Sequence, residues 1–472
     1  MTAPPRQMHL GVFWLGTGNH SAGWRHDGAA ASNCSWPVVL EGAQIAERGK
    51  FDLFFISDSV AMNRGDHPSF MSRFEPTTLI AALSAVTRYV GLGATTSTSF
   101  SEPFNVARTF ATLQHISGGR AAWNIVTSTH NVAALNFGKD GLADHDLRYE
   151  IANEFVDVVK GLWNTWDEDA VVADKATGKF LDDAKVRALD HKGRFFSVKG
   201  PLNIQRSPHG DPLIIQAGGS APGQELSART ANLVFSVVNG DKASAKAAYD
   251  SLKARVVNHG RAPEAVPILP GIMPIIGETN EQAKAQLDKL QSWLTPSNAI
   301  ALVSNRIGHD ISGYPLDAPV PEFPTTPNTG QSFSATLLEL ARREKMTLRD
   351  LYNITAAARG HWVIYGTPQR IADTLEEWFV NGLADGFIVM PAYFPGAFDD
   401  FVNLVVPELQ RRGLYRKDYS GPTLRDHLGI GREPAASKQL EHASGITSRN
   451  PRSRHGHRNR PDRRQARHGS GI

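Results

Sequence analysis

One unit returns along this chain: a short apolar strand, a polar loop at its end, and then an amphipathic helix. The strand segments are apolar on both faces rather than alternating, which is typical of a parallel sheet covered by helices. Eight such units predict an α/β fold of the (β/α)8 TIM-barrel type with insertions, and an open doubly wound sheet is the alternative. The predicted strands lie at residues 8–14, 51–58, 90–98, within 117–138, and at 212–218, 232–238, 268–276 and 385–392.

A long excursion, from about residue 294 to residue 359, interrupts the repeat before the eighth predicted strand. Its middle, PLDAPVPEFPTTPNTGQ, is too rich in proline for a helix or a central strand. Chain inserted between the last two units emerges near one end of a barrel, so we expect this segment to act as a lid. Residues 1–430 are therefore predicted to form one barrel domain that carries the insertion.

Charge is distributed unevenly along the 472 residues, whose formal net charge is +3. Residues 431–472 alone contain ten Lys and Arg against three Asp and Glu. This basic tail has almost no apolar side chains, so we expect it to be disordered, and we expect no nucleic-acid partner.

The single cysteine, Cys34, excludes an internal disulfide framework. Without a signal peptide or a long apolar run, the sequence favours a cytoplasmic protein that does not use a membrane.

Polar residues at the carboxyl ends of the predicted strands are expected to meet at one rim, because all strands of a parallel barrel end on the same side. For each histidine and for the aspartate of this set, a purely structural role is the alternative, as a hydrogen-bonded rim side chain or as a cap. The rim residues are His20 in the first loop, Asp58 after the second strand, Thr98 after the third, and Thr127, Ser128 and His130 after the fourth.

The fifth predicted strand ends in IIQAGGSAPGQ, which suits a phosphate group. Gly218 and Gly219 allow close approach of a ligand, and Ser220 lies where free amides open the next helix. A tight turn that merely needs glycine is the alternative interpretation.

Gly16 and Gly18 do not complete a dinucleotide fingerprint, because the third glycine is late and no helix follows. Neither a metal-binding histidine pair on a helix nor a G-x-S-x-G elbow is present, so no metal site is predicted.

Several ordered motifs resemble the bacterial luciferase-like flavin monooxygenases, in the branch of nitrilotriacetate, long-chain alkane and dibenzothiophene-sulfone monooxygenases. The resembling stretches include ERGKFDLFFISD, VGLGATTST, VARTFATLQHISGGRAAWNIVTS, RYEIANEF, PLIIQAGGS and ADGFIVMPA. The resemblance implies that FMN arrives reduced, as FMNH2, from a separate NAD(P)H-dependent flavin reductase. It further implies that O2 forms a flavin C4a-(hydro)peroxide, which passes one oxygen atom to an organic substrate. A homodimer or homotetramer is also implied.

The resemblance assigns roles to residues by position. His20 and His130 become candidates for handling the proton of the peroxide. Arg306 replaces a histidine often found in the family's lid, and His309 follows three residues later, so both are catalytic candidates. The phosphate end then follows the fifth strand, whereas barrels commonly bind phosphate after strands seven and eight. The implied FMN-binding residues are Asp58, Thr98, Thr127, Ser128, His130, Tyr149, Gly219 and Ser220.

The substrate is expected to be apolar, with organosulfur and haloaromatic compounds favoured. A polycarboxylate chelate would require several converging cations, and only Arg25 and Arg306 are evident. An F420-dependent oxidoreductase and a flavin-binding barrel without turnover are the alternative functions. The aromatic residues that favour an apolar substrate are Phe13, Trp14, Trp24, Phe100 and Phe104.

Overall fold

Eight parallel strands close into a ring in the computed structural model, which describes residues 6–62, 67–129, 131–323 and 331–431. Neighbouring strands pair in parallel all the way round, and the last strand of the ring pairs back with the first. The strands of the described residues are β1 (His9–Trp14), β2 (Leu53–Ile56), β3 (Gly91–Ser97), β4 (Ala121–Val126), β5 (Val171–Asp174), β6 (Lys179–Leu181), β7 (His191–Lys192), β8 (Ser197–Val198), β9 (Leu213–Gln216), β10 (Leu233–Ser236), β11 (Ile268–Ile276), β12 (Trp362–Gly366) and β13 (Gly386–Val389).

The order of strands around the ring is β1, β2, β3, β4, β9, β10, β11 and β13. Each predicted strand contains one of these, so the predicted TIM barrel is confirmed. The open-sheet alternative is wrong because β13 pairs with both β1 and β11. The observed strands are shorter than predicted where polar residues such as Asp58 and Thr98 already belong to the loops. The pairs β5–β6 and β7–β8 are antiparallel hairpins inserted between the fourth and fifth strands of the ring.

Helices surround the ring. Within the described ranges, none of them combines the length and the apolar character needed to cross a membrane. Their bounds are α1 (Trp36–Arg48), α2 (Pro76–Val86), α3 (Pro103–Ile116), α4 (Asn131–Leu135), α5 (His145–Trp163), α6 (Ala221–Thr230), α7 (Lys242–Asn258), α8 (Asn280–Ser292), α9 (Pro296–Ile307), α10 (Gln331–Arg343), α11 (Leu348–Ala358), α12 (Pro368–Val380), α13 (Gly396–Asp400), α14 (Val406–Arg411) and α15 (Leu424–Leu428). Proline lies in the first turn of α1, α2, α3, α6, α9 and α12, where its missing amide costs no hydrogen bond.

Aromatic side chains fill the inside of the ring towards the carboxyl ends of the strands. The ring centroid of Phe13 lies 5.3 Å from that of Phe55 and 5.6 Å from that of Phe235. These three residues come from β1, β2 and β10, and all are buried. We call Phe13, Phe55 and Phe235 the aromatic floor, because the polar groups described below lie level with them or closer to the carboxyl-end loops.

The amino end of the ring is closed by an ion pair and by α15. Asp52 is fully buried and accepts hydrogen bonds from the Leu10 N–H (2.8 Å) and from Arg416 (2.5 Å). His9 Nδ1 lies 3.1 Å from the same carboxylate. Leu424 of α15 packs into the interior cluster of the ring. The chain that follows the last strand of the ring therefore covers the amino end of the barrel. The predicted site lies at the other end, in the loops that follow the strands.

The predicted excursion lies between β11 and β13 and contains α9, α10 and α11. These helices share a small core of their own, which includes Val303, Leu337 and Leu351. The excursion ends in β12, a strand that the sequence pattern did not predict, which pairs with Ile272–Ile276 of β11 outside the ring. The Ser21 N–H donates to the Ala356 carbonyl of α11 (2.8 Å), so the excursion reaches the loop after β1. Residues 324–330 and the basic tail beyond residue 431 lie outside the described residues.

Candidate active site

Hydroxyl groups line the rim between β3 and β4. The Oγ atoms of Ser97 and Ser128 are 2.8 Å apart, and the Ser99 hydroxyl donates to the Thr127 carbonyl (2.8 Å). The Thr98 N–H donates to the carbonyl of Val126 (3.0 Å). The structure therefore brings together three predicted residues, Thr98, Thr127 and Ser128. The fourth residue predicted here, His130, lies outside the described residues.

The predicted phosphate end is assembled from α5 and the start of α6. A methyl group built on Gly223 would lie only 2.8 Å from the Tyr149 hydroxyl oxygen, and one built on Gly218 would lie 3.0 Å from it. The Ser220 hydroxyl accepts a hydrogen bond from the Gly223 N–H (3.3 Å) and caps α6. Tyr149, Ser220 and the exposed Gly219 thus surround one helix start, as predicted by position. Amide groups and hydroxyls in this arrangement suit a phosphate.

Arg148, which no motif of the sequence singled out, is a buried cation next to Tyr149 on α5. Its side chain is 2% exposed, and within the described part of the chain its Nε and Nη1 atoms have no hydrogen-bond partner. Burial lowers the pKa of its guanidinium, against the opposing effects of Tyr149 and Asp144. A buried cation with unsatisfied donors is costly unless an anion completes it. Its position next to Tyr149 in RYEIANEF was the only feature of the sequence that could have identified Arg148 as a site residue.

His20, in the loop after β1, is a buried and neutral hydrogen-bond donor. It is 1% exposed, and its Nδ1 accepts a hydrogen bond from the Ala22 N–H (3.0 Å). The ring proton therefore resides on Nε2, and no group among the described residues accepts it. Burial lowers the pKa of His20 to about 3. The imidazole consequently stays neutral at ordinary pH and can donate to a ligand at the mouth of the barrel.

Arg359 lies over the mouth, although the sequence analysis placed it only at the end of the excursion. Its guanidinium carbon is 4.5 Å from the ring centroid of Phe70 and 5.8 Å from that of Phe13. The nearby His67 is buried, and its pKa is lowered well below the usual value, first by burial and then by the charges of Arg359 and Arg73. Arg359 therefore brings a positive charge to the aromatic floor.

His361, two residues after Arg359, is buried against the aromatic floor. Its ring stacks on Phe235, with centroids 5.0 Å apart and planes inclined by 6°. Burial lowers its pKa to about 3, and the charges of Arg359 and Arg306 act in the same direction. Arg306, a predicted site residue, therefore lies close enough to the mouth to act on His361. This histidine was missed because the expected boundary of the excursion ended at residue 359.

The contacts of two further predicted residues, Asp58 and His309, are defined by the structure. Asp58 follows β2, and burial raises its pKa against the opposing charge of Arg73. Its carboxylate accepts a hydrogen bond from the Ser59 N–H (2.8 Å). The ring of His309 stacks on Phe323, with centroids 5.3 Å apart, so its aromatic partner belongs to the excursion and not to the barrel mouth.

A separate cavity of about 260 Å³ follows β11 and β13, where barrels commonly bind phosphate. Its walls include Ile276, Tyr393 and Trp293, with Lys289 and Asp400 at the charged positions. This cavity offers one cation and one anion, whereas the start of α6 offers amides and hydroxyls, and the buried Arg148 lies next to Tyr149 on α5. The described residues contain no group of three or more His, Cys, Asp or Glu that could hold a metal ion.

Comparisons with known proteins give a matching family model and several similar proteins. A family model described as luciferase-like monooxygenase matches residues 8–386. The chain is 46% identical to N-acetyl-S-(2-succino)cysteine monooxygenase of Bacillus subtilis (strain 168), over 91% of this chain and 98% of that protein. It is 41% identical to nitrilotriacetate monooxygenase component A of Aminobacter aminovorans, over 90% and 97%. A solved riboflavin lyase with modified FMN and riboflavin superposes with a TM-score of 0.81 at 29% identity, over 92% of this chain and 99% of that one.

Proposed function

The chain belongs to the luciferase-like monooxygenase family, and from this premise we propose that it uses FMNH2 supplied by a separate NAD(P)H-dependent flavin reductase. The reduced flavin supplies two electrons, so that one oxygen atom of O2 enters the substrate and the other leaves as water. The name of the relative from Aminobacter aminovorans, component A, supports a reaction shared with a second protein. The basic tail receives no role in this proposal.

The observation that carries the proposal is the buried guanidinium of Arg148 on α5, next in sequence to Tyr149, whose hydroxyl lies at the start of α6. Arg148, the Tyr149 hydroxyl, the Ser220 hydroxyl and the free amides of α6 would together bind the phosphate of FMN. Phosphate binding requires this combination: a charged donor, neutral donors and a helix start that all act on the same group. The unsatisfied donors of Arg148 fit this group and explain why a cation is buried there.

The hydroxyl set on β3 and β4 lies beside the phosphate end, because β4 is the neighbour of β9 in the ring. Gln216 links the two, since its Nε2 donates to the Ile125 carbonyl (3.1 Å) and its Oε1 accepts from the Gly218 N–H (3.3 Å). Thr98, Thr127 and Ser128 would therefore contact the ribityl chain and the polar edge of the flavin ring. His20 would donate its Nε2 proton at the mouth, where water has to be excluded.

The substrate is a small organic molecule, and we propose an organosulfur compound. The aromatic floor provides an apolar surface for the part of the substrate that reacts. The relative from Bacillus subtilis is named for N-acetyl-S-(2-succino)cysteine, which is a thioether. A thioether sulfur accepts one oxygen atom without loss of any other group, which suits the proposed reaction.

The test combines the purified full chain, FMN, a flavin reductase, NADH and ¹⁸O2 with N-acetyl-S-(2-succino)cysteine and neutral sulfides. We expect a product that carries one ¹⁸O atom and forms only when FMN and the reductase are both present. Omission of the reductase should be rescued by chemically reduced FMN. Turnover that requires F420, or FMN binding without any labelled product, would refute the proposal.

A further inference from the structure

The cavity that follows β11 and β13 has no part in the proposed reaction. Its volume is about 260 Å³, and among the described residues that line it, none belongs to the aromatic floor or to the start of α6. Pockets for drug-sized molecules usually measure about 300–1,000 Å³, so this cavity suits a molecule with one ring and a short chain. It is therefore a candidate for a second ligand, apart from FMN and the substrate.

Three aromatic rings line this cavity. The His26 ring stacks on that of Tyr393, with centroids 3.8 Å apart and planes inclined by 13°. Trp293 approaches the same imidazole edge-on, with centroids 6.3 Å apart. Ile276 and Leu290 add aliphatic surface. Such walls suit the ring or the apolar side chain of a ligand, because they offer a large contact area with few polar atoms.

Charged side chains of both signs line the same cavity without pairing. Lys289 lies on α8 and Asp400 ends α13, and within the described ranges neither of them forms an ion pair. The Lys289 Nζ lies 5.3 Å from the ring centroid of Trp293. Gln286 precedes Lys289 by about one helical turn and also lines the cavity, so α8 presents an ammonium and an amide on one face.

Charges on the same two helices that do not line the cavity are paired. On α8, Lys284 forms an ion pair with Asp288. On α13, Asp399 forms one with Arg48. The cation and the anion that line the cavity differ from these neighbours, since each lacks an ionic partner in the described part of the chain. A ligand with a single charge would leave one of the two without a partner, whereas a ligand with both charges completes both.

We propose that this cavity binds a small zwitterion, an α-amino acid with an aromatic or large apolar side chain. Its carboxylate accepts hydrogen bonds from Lys289 and Gln286, and its ammonium group donates to Asp400. Its side chain packs against Trp293 and Ile276. Charge-assisted hydrogen bonds at both ends fix the orientation of the ligand, while the aromatic walls supply the contact area. The inference goes beyond the proposed function and does not depend on it.

The cavity shares its walls with the loop that carries His20. His26 belongs to this loop, and the His20 N–H donates to the carbonyl of Ala392, which also lines the cavity (3.1 Å). The Phe394 N–H donates to the Thr17 carbonyl (3.0 Å), so the two segments are joined twice. A ligand that contacts both segments keeps these hydrogen bonds closed. Binding therefore slows amide hydrogen exchange at His20 and Phe394.

The test is isothermal titration calorimetry of the full chain with L-phenylalanine as the probe. The comparison ligands are 3-phenylpropanoate, which lacks the ammonium group, and phenethylamine, which lacks the carboxylate. Each should bind about three- to tenfold more weakly than L-phenylalanine, because each loses one charge-assisted contact in a partly exposed site. L-Phenylalanine and FMN should bind together without competition.

Two variants assign the charges. Lys289→Met should weaken the binding of L-phenylalanine and 3-phenylpropanoate about three- to tenfold and leave that of phenethylamine unchanged. Asp400→Asn should weaken the binding of L-phenylalanine and phenethylamine and leave that of 3-phenylpropanoate unchanged. Lys284→Met and Asp399→Asn are the matched controls, because these charges lie on the same helices outside the cavity. Both controls should leave every Kd unchanged.

Several results would overturn the inference. They are the absence of L-phenylalanine binding at millimolar concentration, equal binding of the three ligands, and competition with FMN. Displacement of L-phenylalanine by inorganic phosphate would do the same, because it would indicate a site for anions alone. Unchanged amide exchange at His20 and Phe394 in the complex would place the ligand elsewhere and would also overturn it. The ¹⁸O experiment tests the proposed function separately, so each proposal can fail without the other.

Discussion

Two buried arginines should respond in opposite ways to the same substitution. Arg148 has donors without partners among the described residues, whereas Arg120 donates five hydrogen bonds, to Ser84, Thr87, Val90 and Ser117. Replacing Arg148 by methionine removes a desolvated cation and fills its space with an apolar chain. The ligand-free protein should therefore gain about 1–3 kcal/mol in its free energy of unfolding, which is the cost of an unsatisfied buried group.

The same Arg148→Met substitution should weaken FMN binding. A charge-assisted hydrogen bond to the phosphate contributes about 1.5–3 kcal/mol, so the Kd for FMN should rise about 10- to 140-fold. At an FMN concentration of 100 times the original Kd, the unmodified chain gains about 2.7 kcal/mol from binding. A variant whose Kd is 100 times higher gains only about 0.4 kcal/mol at that concentration.

Urea unfolding of both proteins, with and without FMN, measures these changes, and fluorescence titration gives the Kd independently. Arg120→Met is the control for loss of a buried arginine as such, because it leaves four carbonyl groups without their donor. That variant should lose on the order of 3 kcal/mol or more, with no specific effect on FMN. A destabilised ligand-free Arg148→Met, or one that binds FMN as tightly as the unmodified chain, would refute the reasoning.

Three further predictions follow from the described contacts. Asp52→Asn should lower the free energy of unfolding by about 3–5 kcal/mol in urea titrations, because Arg416 is left buried without its anion, whereas the exposed Asp418→Asn should cost under about 1 kcal/mol. Burial acts to raise the pKa of Asp52, but Arg416 and His9 outweigh burial, so the pKa is lowered. The stabilisation that the ionised Asp52 gives the folded chain is therefore complete above about pH 4 and is lost as pH falls through the folded-state pKa. His20, with its pKa of about 3, should produce no acid limb in the pH profile of kcat between about pH 5 and 8, and His20→Gln, which keeps an N–H donor, should retain more activity than His20→Ala. Ser220→Ala should raise the Kd for FMN about three- to tenfold in the same fluorescence titration, through loss of one cap and one hydroxyl.

The barrel was predictable because its strands are short apolar runs with polar ends, and such runs identify buried parallel strands one at a time. The expected family, fold and enzyme class are confirmed, and FMN as cofactor agrees with the modified FMN in the riboflavin lyase structure. The strand β12 was missed because only the short turn at Arg359 and Gly360 separates HWVIYG from α11. It pairs outside the ring, so the count of eight did not require it.

The sequence predicted that Thr98, Thr127 and Ser128 lie close together, because the end of a strand fixes where its next residues lie. Tyr149 lies on α5, and only the family resemblance pointed to it. Arg148 and Arg359 were missed for the opposite reason, since Arg148 belongs to α5 and Arg359 directly follows α11, and the orientation of a helix depends on tertiary packing. An arginine in or beside a helix is usually a solvated charge, and only the fold shows that Arg148 is buried and that Arg359 lies over Phe13.

A crystal structure of the chain with FMN tests the central claim most directly, through the distance from the phosphate oxygens to the protein. We expect these oxygens to lie about 2.7–3.2 Å from the Arg148 guanidinium and from the amides and hydroxyl at the start of α6. A phosphate bound instead in the cavity after β11 and β13, with Arg148 still without an anion, would contradict it.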